Sequence, residues 1–117
     1  MTGRTPQTET LPQRRAYYRV VYPILDRPKI FIKNQPYPVI DICEKGVRFA
    51  YRSEEGLPFN VRLAARIEFH DGEQIFVNGK VVRVEPNAIA IFLSGEIPLA
   101  RIIKEQRYLI QKYPNFR

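Results

Sequence analysis

Tyr37-Pro38-Val39-Ile40-Asp41-Ile42-Cys43-Glu44-Lys45-Gly46-Val47-Arg48-Phe49-Ala50-Tyr51 is the stretch on which the fold of this 117-residue chain turns. Tyr37 to Cys43 reads as a strand. Side chains alternate along a strand, so Ile40 and Ile42 are expected on one face and Asp41 and Cys43 on the other. Glu44-Lys45-Gly46 turns the chain, and Val47, Phe49 and Tyr51 form the apolar face of the return strand. The result is a hairpin that carries a carboxylate, a thiol and a glycine close to its turn.

Working outward, the same period of two recurs. Arg62 to Phe69 puts Leu63, Ala65, Ile67 and Phe69 inward, with Arg62, Arg66 and Glu68 outward. Asp71-Gly72 is a hairpin signal. Gln74 to Val84 is a long strand whose Asn78-Gly79 reads either as a bulge or as a second tight turn. Pro86-Asn87 turns the chain into the apolar strand Ala88 to Leu93. Upstream, Val20 to Ile24 and Lys29 to Ile32 are short β-type runs broken by Pro23 and Pro28, which suits an edge or a bend.

Downstream, Leu99, Ile102, Ile103, Gln106, Leu109, Ile110 and Tyr113 recur at helical spacing. Arg101, Lys104, Glu105 and Lys112 are expected off that stripe. Pro98 suits the first helical position and Pro114 stops the helix. Five to seven antiparallel strands followed by one amphipathic helix imply an all-β barrel or sandwich, capped by a C-terminal α-helix over 98–113. Residues 1–13 contain Leu11 as the sole sizeable apolar side chain after Met1, and are expected to form a flexible tail. Residues 14–117 are expected to form one domain.

Composition narrows the function. Nineteen Lys and Arg against 12 Asp and Glu give a net charge of +7 and a pI near 9.8, which suits an anionic partner. The same charge also serves solubility alone. One cysteine excludes an internal disulfide and points to the cytoplasm. One histidine and one cysteine do not make a zinc site by themselves. The longest apolar run, 88–93, is far short of a membrane span, so no membrane insertion is expected. The sequence offers no paired-carboxylate site, no Ser–His or Cys–His pair and no phosphate-cradling glycine loop, so catalysis is not expected.

Two clusters carry chemistry. Arg14-Arg15-Ala16-Tyr17-Tyr18-Arg19 supplies guanidinium forks that match phosphate oxygens, bond the O6 and N7 edge of guanine and stack on purines. Asp41 accepts from a guanine's other edge, and Gly46 leaves room for a ring beside the backbone. The plainer readings are a solvated basic arm, a hairpin that happens to contain Asp and Gly, a packed Cys43, and a solvated turn histidine at His70.

The pairing of Arg-x-x-x-Arg (Arg15 to Arg19) with Asp41, Cys43 and Gly46 in the frame Asp/Asn-x-Ser-x-x-Gly resembles the PilZ domain. That family is the bacterial receptor module for cyclic di-GMP. The resemblance runs from about Arg14 to Tyr113 and covers the strand Gly79-Lys80-Val81-Val82-Arg83 and the final helix. It implies a six-stranded antiparallel split barrel with ligand on its outer face, bound by Arg14, Arg15, Arg19, Asp41, Cys43 and Gly46. Arg14 implies an intercalated pair of ligand molecules, and Arg83 is a second-tier candidate. Cys43 stands where the family has Ser, a weaker donor and a larger atom.

On this reading the chain is a cyclic di-GMP receptor whose arginine arm orders on binding and signals to a downstream partner protein. It needs no cofactor besides that ligand. An adaptor that has lost ligand binding is the first alternative. A barrel that binds single-stranded nucleic acid is the second, and the sequence disfavours it because the basic residues are scattered over strands and helix.

Overall fold

The computed structural model describes residues 18–52 and 56–115. The tail over 1–13, and Arg14 and Arg15 with it, lie outside the described residues. In chain order the elements are β1 (Val20–Val21), a 3₁₀ turn (Ile24–Asp26), β2 (Lys29–Ile32), β3 (Gln35–Cys43) and β4 (Gly46–Ala50). They continue with β5 (Arg62–Glu68), β6 (Gln74–Glu85), β7 (Ala88–Leu93) and α1 (Leu99–Lys112).

All strand pairs are antiparallel, in the order β3-β2-β5-β6-β7-β4, and β4 pairs back to β3 to close a six-stranded barrel. β1 is a short extra strand lying along β3 beyond the end of β2. The run expected from Val20 to Ile24 is therefore cut to two residues. Pro23 lacks an amide donor for the ladder, and the 3₁₀ turn follows it.

The barrel is filled by the inward set of each strand, with Ile30, Val39, Ile42, Phe49, Ile67, Val81 and Ile89 all fully buried. β5 keeps the expected alternation through Leu63, Ala65, Ile67 and Phe69. β3 does not. Its register against β4 shifts between Val39 and Asp41, so a bulge interrupts the period of two. Val39 and Ile42 both reach the core, and Ile40, expected to share a face with Ile42, is left half-exposed.

The Asn78-Gly79 ambiguity resolves as neither bulge nor turn. β6 runs through both residues in unbroken register with β5. Its shift lies further on, between Val81 and Arg83 against β7. The turns at Asp71-Gly72 and Pro86-Asn87 are as expected, the first with Gly72 at φ 90°. The β2–β3 hairpin turns through Lys33 and Asn34, both at positive φ.

α1 docks through part of the expected stripe, Ile102 and Leu109, but is rotated toward its charged side. Its buried residues are Arg101, Ile102, Glu105 and Leu109. Leu99, Ile103 and Ile110, expected in the buried stripe, are exposed instead. The two charges are buried because the barrel offers them partners. The Tyr22 hydroxyl donates to Glu105 at 2.7 Å. Arg101 donates to Glu105, and at 2.9 Å and 2.6 Å to Asp71 and Glu73 in the β5–β6 turn.

Candidate functional site

The β3–β4 hairpin determines the outer surface of the barrel at its most informative point. After the bulge, alternation resumes: Ile42 is buried, so Asp41 and Cys43 share the outward side. Across the turn, Val47 and Phe49 are buried and Arg48 between them faces out. Register pairs Asp41 with Arg48 and Cys43 with Gly46. Asp41, Cys43, Gly46 and Arg48 therefore share one side of the hairpin, with Asp41 itself covered.

Electrostatics binds part of it together. Arg48 Nε donates to Asp41 Oδ2 at 2.9 Å, and Arg48 Nη1 lies 3.3 Å from Glu85 Oε1. Arg83, the second-tier candidate, lies 3.3 Å from the other oxygen of Glu85. The result is an alternating row Arg83–Glu85–Arg48–Asp41. The Asp41 hydrogen bond raises the Arg48 pKa above its usual value, against a smaller lowering by burial. The contact uses one carboxylate oxygen of Asp41, whose side chain is largely covered.

Gly46 has a packing reason. A Cβ there would lie 3.3 Å from the Ile91 carbonyl of β7 and 3.6 Å from Cys43 Sγ. Cys43 is a free, half-buried thiol.

Of the three arginines, Arg19 is described. It is exposed and sits immediately before β1. Since Val20 pairs with Ile42 and Val21 with Asp41, the next register position sets Arg19 alongside Cys43. Arg19, the described end of the arginine motif, thus lies next to the strand pair that carries Asp41, 22 residues on. Arg19 also lines a cleft of about 220 Å³ between β1 and α1, with Tyr18, Gln106 and Ile110. Tyr18 accepts a hydrogen bond from Gln106 there.

Arg48 and Glu85 were not singled out from sequence. The signal for Arg48 existed: a two-residue turn at Glu44-Lys45 puts residue 48 opposite residue 41. His70 is an exposed turn residue, as expected, and is engaged as well. Its ring stacks on Tyr108 at 3.6 Å, and Nδ1 lies 3.3 Å from Glu105. It belongs to the helix-docking network, away from the hairpin cluster.

Among the described residues, no group of three or more His, Cys, Asp and Glu is placed to hold a metal ion. No helix among them is long and apolar enough to cross a membrane.

The sequence matches the PilZ domain family over residues 13–109. Both motif halves fall inside that span, and the chain belongs to the PilZ family. PilZ domains are binding and adaptor modules of cyclic di-GMP signalling rather than enzymes. Among solved structures, the fold is similar to the Bacillus subtilis inhibitor of motility MotI/DgrA, with a TM-score of 0.65 at 15% identity. That match covers 91% of this chain and 55% of the other, so the chain spans little more than half of that protein. It is also similar to the Legionella uncharacterized protein Lpg0364, with a TM-score of 0.56 at 16% identity, covering 84% of this chain and 99% of the other. No curated protein matches the chain.

Proposed function

We propose that the chain is a cyclic di-GMP receptor that binds its ligand on the β3–β4 outer face and passes the signal to a partner protein. The observation that supports this reading is the β1–β3 register, which brings the end of the arginine motif at Arg19 toward the strand end that carries Asp41 and Cys43. Arg15 and Arg19 contact the phosphates and guanine faces, and Asp41 accepts from a guanine edge. Arg14 favours an intercalated ligand pair. The arm from Arg14 to Arg19 orders over the ligand, and the entropy of that ordering is offset by ionic and stacking contacts.

A second reading, an adaptor that docks proteins without ligand, draws on two observations. Asp41 is 7% exposed and already paired with Arg48, and Cys43 replaces the family's serine. Isothermal calorimetry separates the two. A saturable signal with micromolar cyclic di-GMP, absent with cyclic di-AMP and GTP, supports the receptor. No signal at that concentration leaves the adaptor.

A further inference from the structure

The outer face of β2, β5 and β6 carries chemistry that neither the core nor the hairpin cluster uses. Register sets Phe31 beside Arg66 and Arg66 beside Phe76 in one row across three strands. Two positions further along β5, a second row runs from Ala64 to Asn78, and beyond it Arg62 pairs with Lys80 and Lys80 with Phe92. Inward neighbours on these strands are buried, so these side chains face water. Phe76 is 79% exposed and Phe92 50%. A phenylalanine on the wet side of a barrel strand contributes little to the core, and two beside cations call for a different explanation.

The geometry is that of a stacking platform. The Arg66 guanidinium sits 4.0 Å from the Phe31 ring centroid, and Lys45 Nζ lies 5.2 Å from that of Phe92. Between the rows lies a depression of about 380 Å³ lined by Phe31, Lys33, Asn34, Arg66, Phe76 and Asn78. Such a pocket is of ligand size. Phe76 presents an open face to stack on, Phe31 carries Arg66 over one face, and the two asparagine amides both donate and accept, as base edges do. Lys33, Arg62, Arg66 and Lys80 supply cations for phosphates. Two carboxylates adjoin it, Glu68 beside Lys29 and Glu96, which lines a neighbouring hollow with Phe76 and Asn78.

We propose that this face binds single-stranded nucleic acid, with bases stacked on Phe31 and Phe76 and phosphates held by Arg66, Lys33 and Lys80. Phe31 and Phe76 stand two strands apart, about 10 Å. That is several times the 3.4 Å rise along a stacked strand, so the bound strand is drawn out with bases splayed between rings. A duplex, whose bases already stack on each other, presents no free faces to them. The cations that look dispersed along the chain are gathered here by strand pairing. The Phe92 row abuts Gly46, so the test relies on Phe76 and Arg66, which stand away from the hairpin cluster.

The test is fluorescence anisotropy with a labelled single strand of about 15 nucleotides, the matching duplex, and heparin as a polyanion without bases. The full chain is expected to bind the single strand saturably, at least tenfold tighter than the duplex. Phe76→Ala is expected to weaken binding about 5- to 100-fold. Phe76→Trp should restore it, and Arg66→Gln should weaken it while reducing its salt dependence. Phe76 lies outside the core, and circular dichroism checks that each variant stays folded. Cyclic di-GMP titrations of Phe76→Ala should match wild type whether or not that ligand binds. Equal affinity for duplex or heparin with indifference to Phe76→Ala overturns the proposal. So does absence of binding at low salt, or association of the chain with itself through Phe76 in place of oligonucleotide binding.

Discussion

Gly79 sits where β6 passes the Phe92 carbonyl, and an added Cβ would lie 2.8 Å from that oxygen. Gly79→Ala is therefore expected to destabilise the barrel by about 1–3 kcal/mol, read from the urea midpoint. From sequence the same glycine suggested a bulge or turn, because local residue type cannot reveal a neighbouring strand's backbone. Cys43 makes a contrasting case. Cys43→Ser restores a stronger donor beside Gly46 and Arg19, and cyclic di-GMP affinity should hold or tighten by up to about tenfold. A large loss in a calorimetric titration would mean the thiol has been misread. Arg19→Ala should weaken the same affinity about tenfold or more through loss of charged hydrogen bonds, with the fold intact because Arg19 is exposed.

At the level of elements, α1 was legible as a helix, and Ile102 and Leu109 of its docking face with it, but the charged half of that face was not. Of the stripe its apolar periodicity favoured, Leu99, Ile103 and Ile110 stay exposed, and the structure buries Arg101 and Glu105 beside Ile102 and Leu109. The deciding partners, Tyr22, Asp71 and His70, lie on other elements, beyond any helical window. Arg101 also lies 4.2 Å from the Phe69 ring, so removing it leaves Glu105 without its main counter-charge. Arg101→Met is expected to cost about 3–5 kcal/mol, comparable to Ile102→Ala at about 2–5 kcal/mol, both measurable by chemical unfolding. The bulge in β3 was equally hidden, since Val39, Ile40 and Ile42 are all apolar and any two could face inward. β5, with a clean alternation and a tight Asp-Gly turn, was readable throughout.

Acid should loosen this docking. Hydrogen bonds from Arg101, and then from Lys104, hold Asp71 well below the usual carboxylate range. Burial pushes Asp26 upward, but donors from Lys112, Tyr108 and Tyr113 together win and lower it. Both folded values lie below the unfolded value of about 4, so the unfolded chain binds more protons there. Their contribution is complete above about pH 5 and is lost as pH falls through 4 and below. Thermal melts should be flat in this respect from pH 7 to 5, then drop to lower midpoints toward pH 3. A midpoint unchanged at pH 3 would remove these carboxylates from the account of helix docking.

For the whole molecule, a closed barrel brings together what the chain keeps apart. The β1–β3 register brings Arg19 toward the end of β3 that carries Cys43, and Phe31, Arg66 and Phe76 meet through two further pairings. The motif residues could be found along the chain because their spacing is local. The Arg48–Glu85 partnership could not, since it spans 37 residues and depends on the order of β4, β7 and β6. The receptor account requires both motif halves to engage one ligand. Amide hydrogen exchange, followed with and without saturating cyclic di-GMP, examines that most directly. Residues 14–19 and 41–46 should both gain protection on adding ligand. Unchanged exchange in either segment, or protection confined to another face of the barrel, would contradict it.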